Sequence, residues 1–202
     1  MITLICLVKD GNFVWRSMIA YLLITCIVEI LGIYIAKKVH NNNWVYNIFL
    51  LFETGFNSLM FAYLLDKYLR SKLLIISGLA LFSVLYLLGL IDHGFLLYNN
   101  LTYTVMSVIY VFYSLYYYYY LIKDESYINL KHSPEFWWVA GTLFFYFSTT
   151  VCNLFDEKLE KIMITKTQNI SYFIFQALNI ILYGCWSYSF ICRRWATTIS
   201  NS

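Results

Sequence analysis

Apolar residues run through the chain in long unbroken blocks, and each block ends at a short cluster of charged, asparagine or glycine residues. A helix needs about 20 such residues to cross ~30 Å of hydrocarbon. Six blocks reach that length: Val14–Ala36, Trp44–Leu65, Leu73–Ile91, Leu101–Ile122, Phe136–Phe155 and Ser171–Cys192. The last four carry no charged residue. Continuous runs argue for helices, because a transmembrane barrel shows shorter segments of alternating character. The pattern predicts an all-α fold, a polytopic transmembrane helix bundle of six full spans. The connections leave no room for a folded extramembrane domain, so residues 1–202 are expected to form a single integral membrane domain. An apolar stub, Met1–Val8, would reach only ~12 Å as helix; it reads as the remnant of a seventh span.

Several boundaries have a mechanism. Ser133-Pro134-Glu135 supplies an N-cap, a proline at the first helical position and an acid in the first turn. His40-Asn41-Asn42-Asn43 is a polar turn ahead of the interfacial Trp44. The run Tyr116–Tyr120 rings one helix end, where a tyrosine keeps its hydroxyl wet and its ring dry.

Composition agrees with this pattern. Hydrophobic residues make up 61% of the chain and charged residues 12%, against roughly half and a quarter in soluble domains. The net charge of +3 comes without any basic run longer than a pair, so no nucleic-acid partner is expected; the lipid bilayer is the first partner. Nine of the 14 lysines and arginines (Lys9, Arg16, Lys67, Arg70, Lys72, Lys123, Lys131, Arg193 and Arg194) fall on the side shared by both termini. Lys37, Lys38, Lys158, Lys161 and Lys166 fall on the other. The positive-inside rule then places both termini in the cytoplasm, with the inner (plasma) membrane as the expected location.

Few residues nominate chemistry. The five cysteines lie in apolar stretches without a CxxC pair, and His40, His93 and His132 sit apart in connections. No HExxH, GxSxG, Walker or GxGxxG motif occurs, so the expectation is a chain with no catalytic residues, no metal and no cofactor. The informative residues are two acids inside spans, Glu29 and Glu53, because a charge at membrane depth is costly and marks a functional suspect. Glu29 lies ~6 Å, Glu53 ~2 Å and Asn179 ~4 Å from the midpoints of their spans, all toward the non-cytoplasmic side. Asn57 shares a helical face with Glu53. Neither acid has a lysine or arginine at matching depth, so each is expected to enter as the neutral acid and to donate to an amide. Glu29, Glu53, Asn57 and Asn179 therefore form the candidate intramembrane polar cluster. It reads either as helix–helix glue at ~1 kcal/mol per contact, as a proton- or ligand-responsive site, or as acids beside a water cavity.

A further pattern lies in Val28-Glu29-Ile30-Leu31-Gly32, in Asn43-Trp44-Val45-Tyr46-Asn47-Ile48-Phe49 with Glu53, in Ser133-Pro134-Glu135-Phe136-Trp137 with Gly141 and Tyr146-Phe147-Ser148, and in Leu178-Asn179-Ile180-Ile181-Leu182-Tyr183. Over residues 14–192 the chain resembles a family of small, uncharacterised bacterial membrane proteins, similar in layout to the seven-helix membrane regions of sensor histidine kinases. The resemblance implies seven helices, an outside N-terminus and an inside C-terminus, and it marks Glu29, Asn47, Glu53 and Asn179; the short Met1–Val8 departs from it. The resulting expectation is a sensory or signalling module that passes its output to a membrane partner protein or a separate kinase. The alternatives are a small proton-coupled transporter or permease using Glu53 and Glu29, and a membrane scaffold or assembly factor.

Overall fold

The computed structural model describes residues 2–39, 41–68, 71–124, 129–159, 161–165 and 168–200. His40, Arg70 and Lys166, which entered the histidine and charge readings above, lie outside the described residues. The chain is helical almost throughout: α1 (Ile2–Leu7), α2 (Phe13–Val39), α3 (Asn43–Asp66), α4 (Lys72–His93), α5 (Asn100–Lys123), a 3-10 turn at Leu130–His132, α6 (Pro134–Leu154), α7 (Asp156–Leu159) and α8 (Ile170–Ser200). Each of the six apolar blocks is a helix. Five of them, α2, α3, α4, α5 and α8, are long and apolar enough to cross a membrane. The fifth block, α6, has 21 residues but is diluted by Trp137, Trp138, Thr142, Tyr146, Ser148, Thr149, Thr150 and Asn153. Trp138, Val139, Gly141, Thr142, Phe145, Tyr146, Thr149 and Cys152 on it are buried, so protein rather than lipid surrounds much of its surface.

Side-chain caps fix the helix starts. Asn12 Oδ1 accepts from the backbone N–H of Val14 (3.0 Å) and Trp15 (3.3 Å), satisfying donors that the first turn leaves unpaired. Ser133 Oγ accepts from Phe136 N at 3.3 Å with Pro134 just inside the helix, as its sequence predicts. Asn99 and Asn169 cap α5 and α8 in the same way, through Thr102 N (3.3 Å) and Tyr172 N (3.1 Å).

Two compact units divide the chain, Thr3–Met106 and Ser107–Ser202, with the division inside α5. In the first, α2 and α3 run antiparallel: Tyr21 stacks on Phe56 at 4.2 Å, and Gly32 lies against Tyr46. Helices α3 and α4 are tied near both ends, by Ser71 Oγ to Ala62 O (3.2 Å) and by Tyr86 OH to Asn47 O (3.2 Å). Trp15, Met18, Met60, Phe61 and Leu65 form its fully enclosed core. Ile27, Ile30 and Ile33 of α2 and Ile76, Val84, Leu87 and Ile91 of α4 are exposed, as a bilayer permits and water does not.

The second unit is built on α6 against α8. The Trp138 and Trp186 rings stack at 5.7 Å, and Trp186 Nε1 donates to Trp138 O (3.3 Å) and Thr142 Oγ1 (3.2 Å). Ser189 Oγ donates to Pro134 O at 2.6 Å. The helices close in at Gly141, where a Cβ would lie 2.7 Å from Cys185 Cβ and 3.3 Å from Leu182 O. At the same end Lys131 O accepts from Trp137 Nε1 (3.1 Å) and Tyr188 OH (3.2 Å), and Arg193 pairs with Glu135 at 3.9 Å.

Candidate functional site

The two acids lie on neighbouring helices of the first unit. Tyr21 opposite Phe56 and Gly32 opposite Tyr46 set the register of α2 on α3. Glu29 is exposed on α2, and its Oε2 accepts from Tyr46 OH at 3.5 Å. Gly32 makes that approach possible: a Cβ at this position would lie 2.5 Å from the Tyr46 hydroxyl oxygen. Asn42 Nδ2 caps the same spot by donating to Gly32 O at 3.2 Å. Glu53 is half-buried on α3, two turns beyond Tyr46 and on the same face.

A second phenol completes the group. Tyr98 belongs to the connection between α4 and α5. Burial first, then the Glu53 carboxylate and the Tyr46 phenol, push the Tyr98 phenol well above its usual range. Glu29, Tyr46, Tyr98 and Glu53 thus form an electrostatically linked run of acids and phenols. Such a group of acid and phenol oxygens can receive a proton or offer oxygens to a small polar or cationic ligand.

The connection that carries Tyr98 is strapped down by Asn47, which is fully buried one turn into α3. Its Nδ2 donates to Phe95 O (3.0 Å) and Leu97 O (2.8 Å), and its Oδ1 accepts from Asn99 N (3.1 Å). These three bonds bracket Tyr98 on both sides. Asn99 in turn donates to Tyr86 O at 3.4 Å, and its amide packs against Gly89, where any Cβ would collide with it. Asn41 Nδ2 donates to Leu96 O at 3.1 Å.

Of the other two residues expected in the cluster, Asn57 is fully buried one turn beyond Glu53 on α3. Asn179 belongs to the second unit, where its amide donates to Phe175 O of its own helix at 3.0 Å. Sequence reasoning missed Tyr46, Tyr98 and Asn99. The available signal was the connection Phe95-Leu96-Leu97, apolar where a turn in water would be polar. Among the described residues, no three His, Cys, Asp or Glu side chains are grouped so as to hold a metal ion.

No family model, curated protein or solved structure matches the chain.

Proposed function

We propose that this chain is a non-enzymatic multi-pass protein of the inner (plasma) membrane that works as a receiving module. A proton or small ligand engages the Glu29–Tyr46–Tyr98–Glu53 group and changes how α2, α3 and the α4–α5 connection pack. The observation that carries this reading is the placement of Tyr98: two hydrogen bonds donated by the buried Asn47 side chain, to Phe95 O and Leu97 O, and one it accepts, from Asn99 N, hold a loop phenol against the helix that carries Glu53. Helix glue needs no such loop, because a helix–helix contact is complete without it. With both termini in the cytoplasm, the module hands its state to a membrane partner protein or a separate kinase.

The test compares wild type with Glu53→Gln in liposomes and nanodiscs. Hydrogen exchange across residues 94–106 is followed at pH 6 and pH 8, and proton flux is measured in parallel. A receiving module shows pH-dependent protection in the wild type that Glu53→Gln flattens, with no flux above protein-free liposomes. Flux that disappears in Glu53→Gln overturns the reading in favour of a proton-coupled transporter. Protection that is equal at both pH values in both proteins overturns it in favour of a scaffold.

A further inference from the structure

Lys131 and Cys192, 61 residues apart in sequence, meet at one end of the second unit. Lys131 O accepts from Tyr188 OH (3.2 Å) and the Cys192 thiol (3.8 Å) of α8, and from Trp137 Nε1 (3.1 Å) of α6. Ser189 Oγ donates to Pro134 O at 2.6 Å. One turn further along α8, Arg193 pairs with Glu135 at 3.9 Å, and the Trp195 ring lies 6.1 Å from the His132 ring. The segment ahead of α6 is thus pinned to the last turns of α8 by both backbone and side-chain contacts.

This junction gathers charge that the sequence keeps apart. Residues 129–135 and 189–198 carry Lys131, His132, Arg193 and Arg194 against a single acid, Glu135. Arg193 engages that acid, so its charge does not repel an incoming anion. The Lys131 and Arg194 side chains are exposed and make no hydrogen bond or ion pair with the described residues. The level of the cations along the helices decides what they meet. The apolar run of α8 ends at Cys192, and α6 begins at Pro134, so both helices leave hydrocarbon here. Trp137 and Tyr188 are half-buried beside the cations, and Trp195 is 51% exposed. Amphipathic rings of this kind settle at headgroup level, and lysine and arginine just outside a span are drawn to anionic lipid. An acidic protein segment would satisfy the cations but would leave the exposed Trp195 ring unexplained.

We infer that this end of the α6–α8 pair binds the headgroup of an anionic phospholipid, with Lys131 and Arg194 meeting its phosphate and Trp195 lying at the same level. Neither the leaflet concerned nor the ligand of the Glu29–Glu53 group enters this inference.

The test uses the full chain in nanodiscs of equal parts phosphatidylcholine and phosphatidylglycerol, released into mild detergent for native mass spectrometry of the lipids that stay bound. The wild type should retain phosphatidylglycerol in preference to phosphatidylcholine. Lys131→Gln/Arg194→Gln should lower that ratio about fivefold or more. Lys37→Gln/Lys38→Gln, which removes two charges from the end of α2, should leave it unchanged. A wild type that retains both lipids equally overturns the inference. A ratio lowered alike by both double variants reduces the preference to diffuse charge and overturns it too. Release of the bound lipid by inorganic phosphate would assign the site to a free anion, and release by polyglutamate to an acidic protein partner; either result overturns it. Should Lys131→Gln/Arg194→Gln fail to fold, Trp195 fluorescence decides, taken as the difference between wild type and Trp195→Phe. Brominated phosphatidylglycerol should quench it more strongly than brominated phosphatidylcholine, and equal quenching overturns the inference.

Discussion

Asn47 and Asn99 meet across the mouth of the first unit: a fully buried side-chain oxygen on α3 accepts the backbone N–H of the residue that caps α5, at 3.1 Å. The same Asn47 side chain donates to Phe95 O and Leu97 O, so one amide serves a whole connection. Leaving a buried polar group without its partner costs about 1–3 kcal/mol. Asn47→Leu strands three backbone groups, whereas Asn47→Asp retains the acceptor and loses both donors. Both variants should lose about 2–3 kcal/mol in detergent unfolding. They separate in hydrogen exchange: the Asn99 amide stays protected in Asn47→Asp and exchanges freely in Asn47→Leu. Equal exchange in the two variants would remove the Asn47–Asn99 bond from the account.

Gly89 exists as glycine because Asn99 needs the room. Alanine favours a helix over glycine by about 1 kcal/mol, while overpacking costs about 1–3 kcal/mol. Gly89→Ala should therefore destabilise by about 1 kcal/mol net, against its helix propensity. Asn99→Ala removes all three side-chain atoms that the new methyl would meet. In the double variant the gain from alanine should reappear, with a coupling of about 1–2 kcal/mol in a double-mutant cycle. Additive effects would mean that the two residues do not touch.

The helices were legible in the sequence because hydrophobic blocks and caps are local signals. Ser133-Pro134-Glu135 specifies its own helix start, and α2 through α5 begin within two residues of the expected positions. The acids were legible for the same reason, since a glutamate inside an apolar run stands out wherever it points. What was not legible depends on chain reversal. Tyr98 and Asn99 belong to a connection whose return path is set by Gly94 and by Asn47, some 50 residues away, and no local pattern encodes that pairing. The phenol that feels the Glu53 carboxylate belongs to that loop, which a reading of depth along separate helices does not see.

In the second unit the tightest point is Gly141. Its missing Cβ lets α6 approach α8 until Cys185 Cβ and Leu182 O would touch it. The obstacle includes backbone, which cannot turn aside as the end of a flexible side chain can. Gly141→Ala should lower stability by about 2–3 kcal/mol through overpacking. Cys185→Ala, which keeps the Cβ, should not rescue it; Cys185→Gly should recover part of the loss. Ser189→Ala, which deletes the hydrogen bond to Pro134 O, should cost only about 1 kcal/mol. Thermal unfolding in detergent ranks these variants; Gly141→Ala at or above wild-type stability would show that the helices part there without penalty.

Tyr98 gives a dependence on alkaline pH whose sign follows from its surroundings. A free phenol titrates near ~10. Burial, the Glu53 carboxylate and the Tyr46 phenol hold the Tyr98 proton more tightly in the folded chain. The folded state therefore binds a proton that the unfolded state releases once pH passes ~10. The stabilisation is complete below that pH and is lost as pH rises above it. The chain has 20 tyrosines, so the total alkaline loss is not specific to one of them, but a difference measurement is. Tyr98→Phe keeps the ring and removes the titrating group. Its stability should track wild type at a constant offset up to about pH 9 and then fall less steeply. Glu53→Gln removes a lesser cause while keeping the phenol and its burial, so it should follow the wild-type slope just above pH ~10 and level off at a lower pH than wild type. Parallel curves for wild type and Tyr98→Phe above pH 10 would mean that the Tyr98 hydroxyl sits in water, outside the field of Glu53.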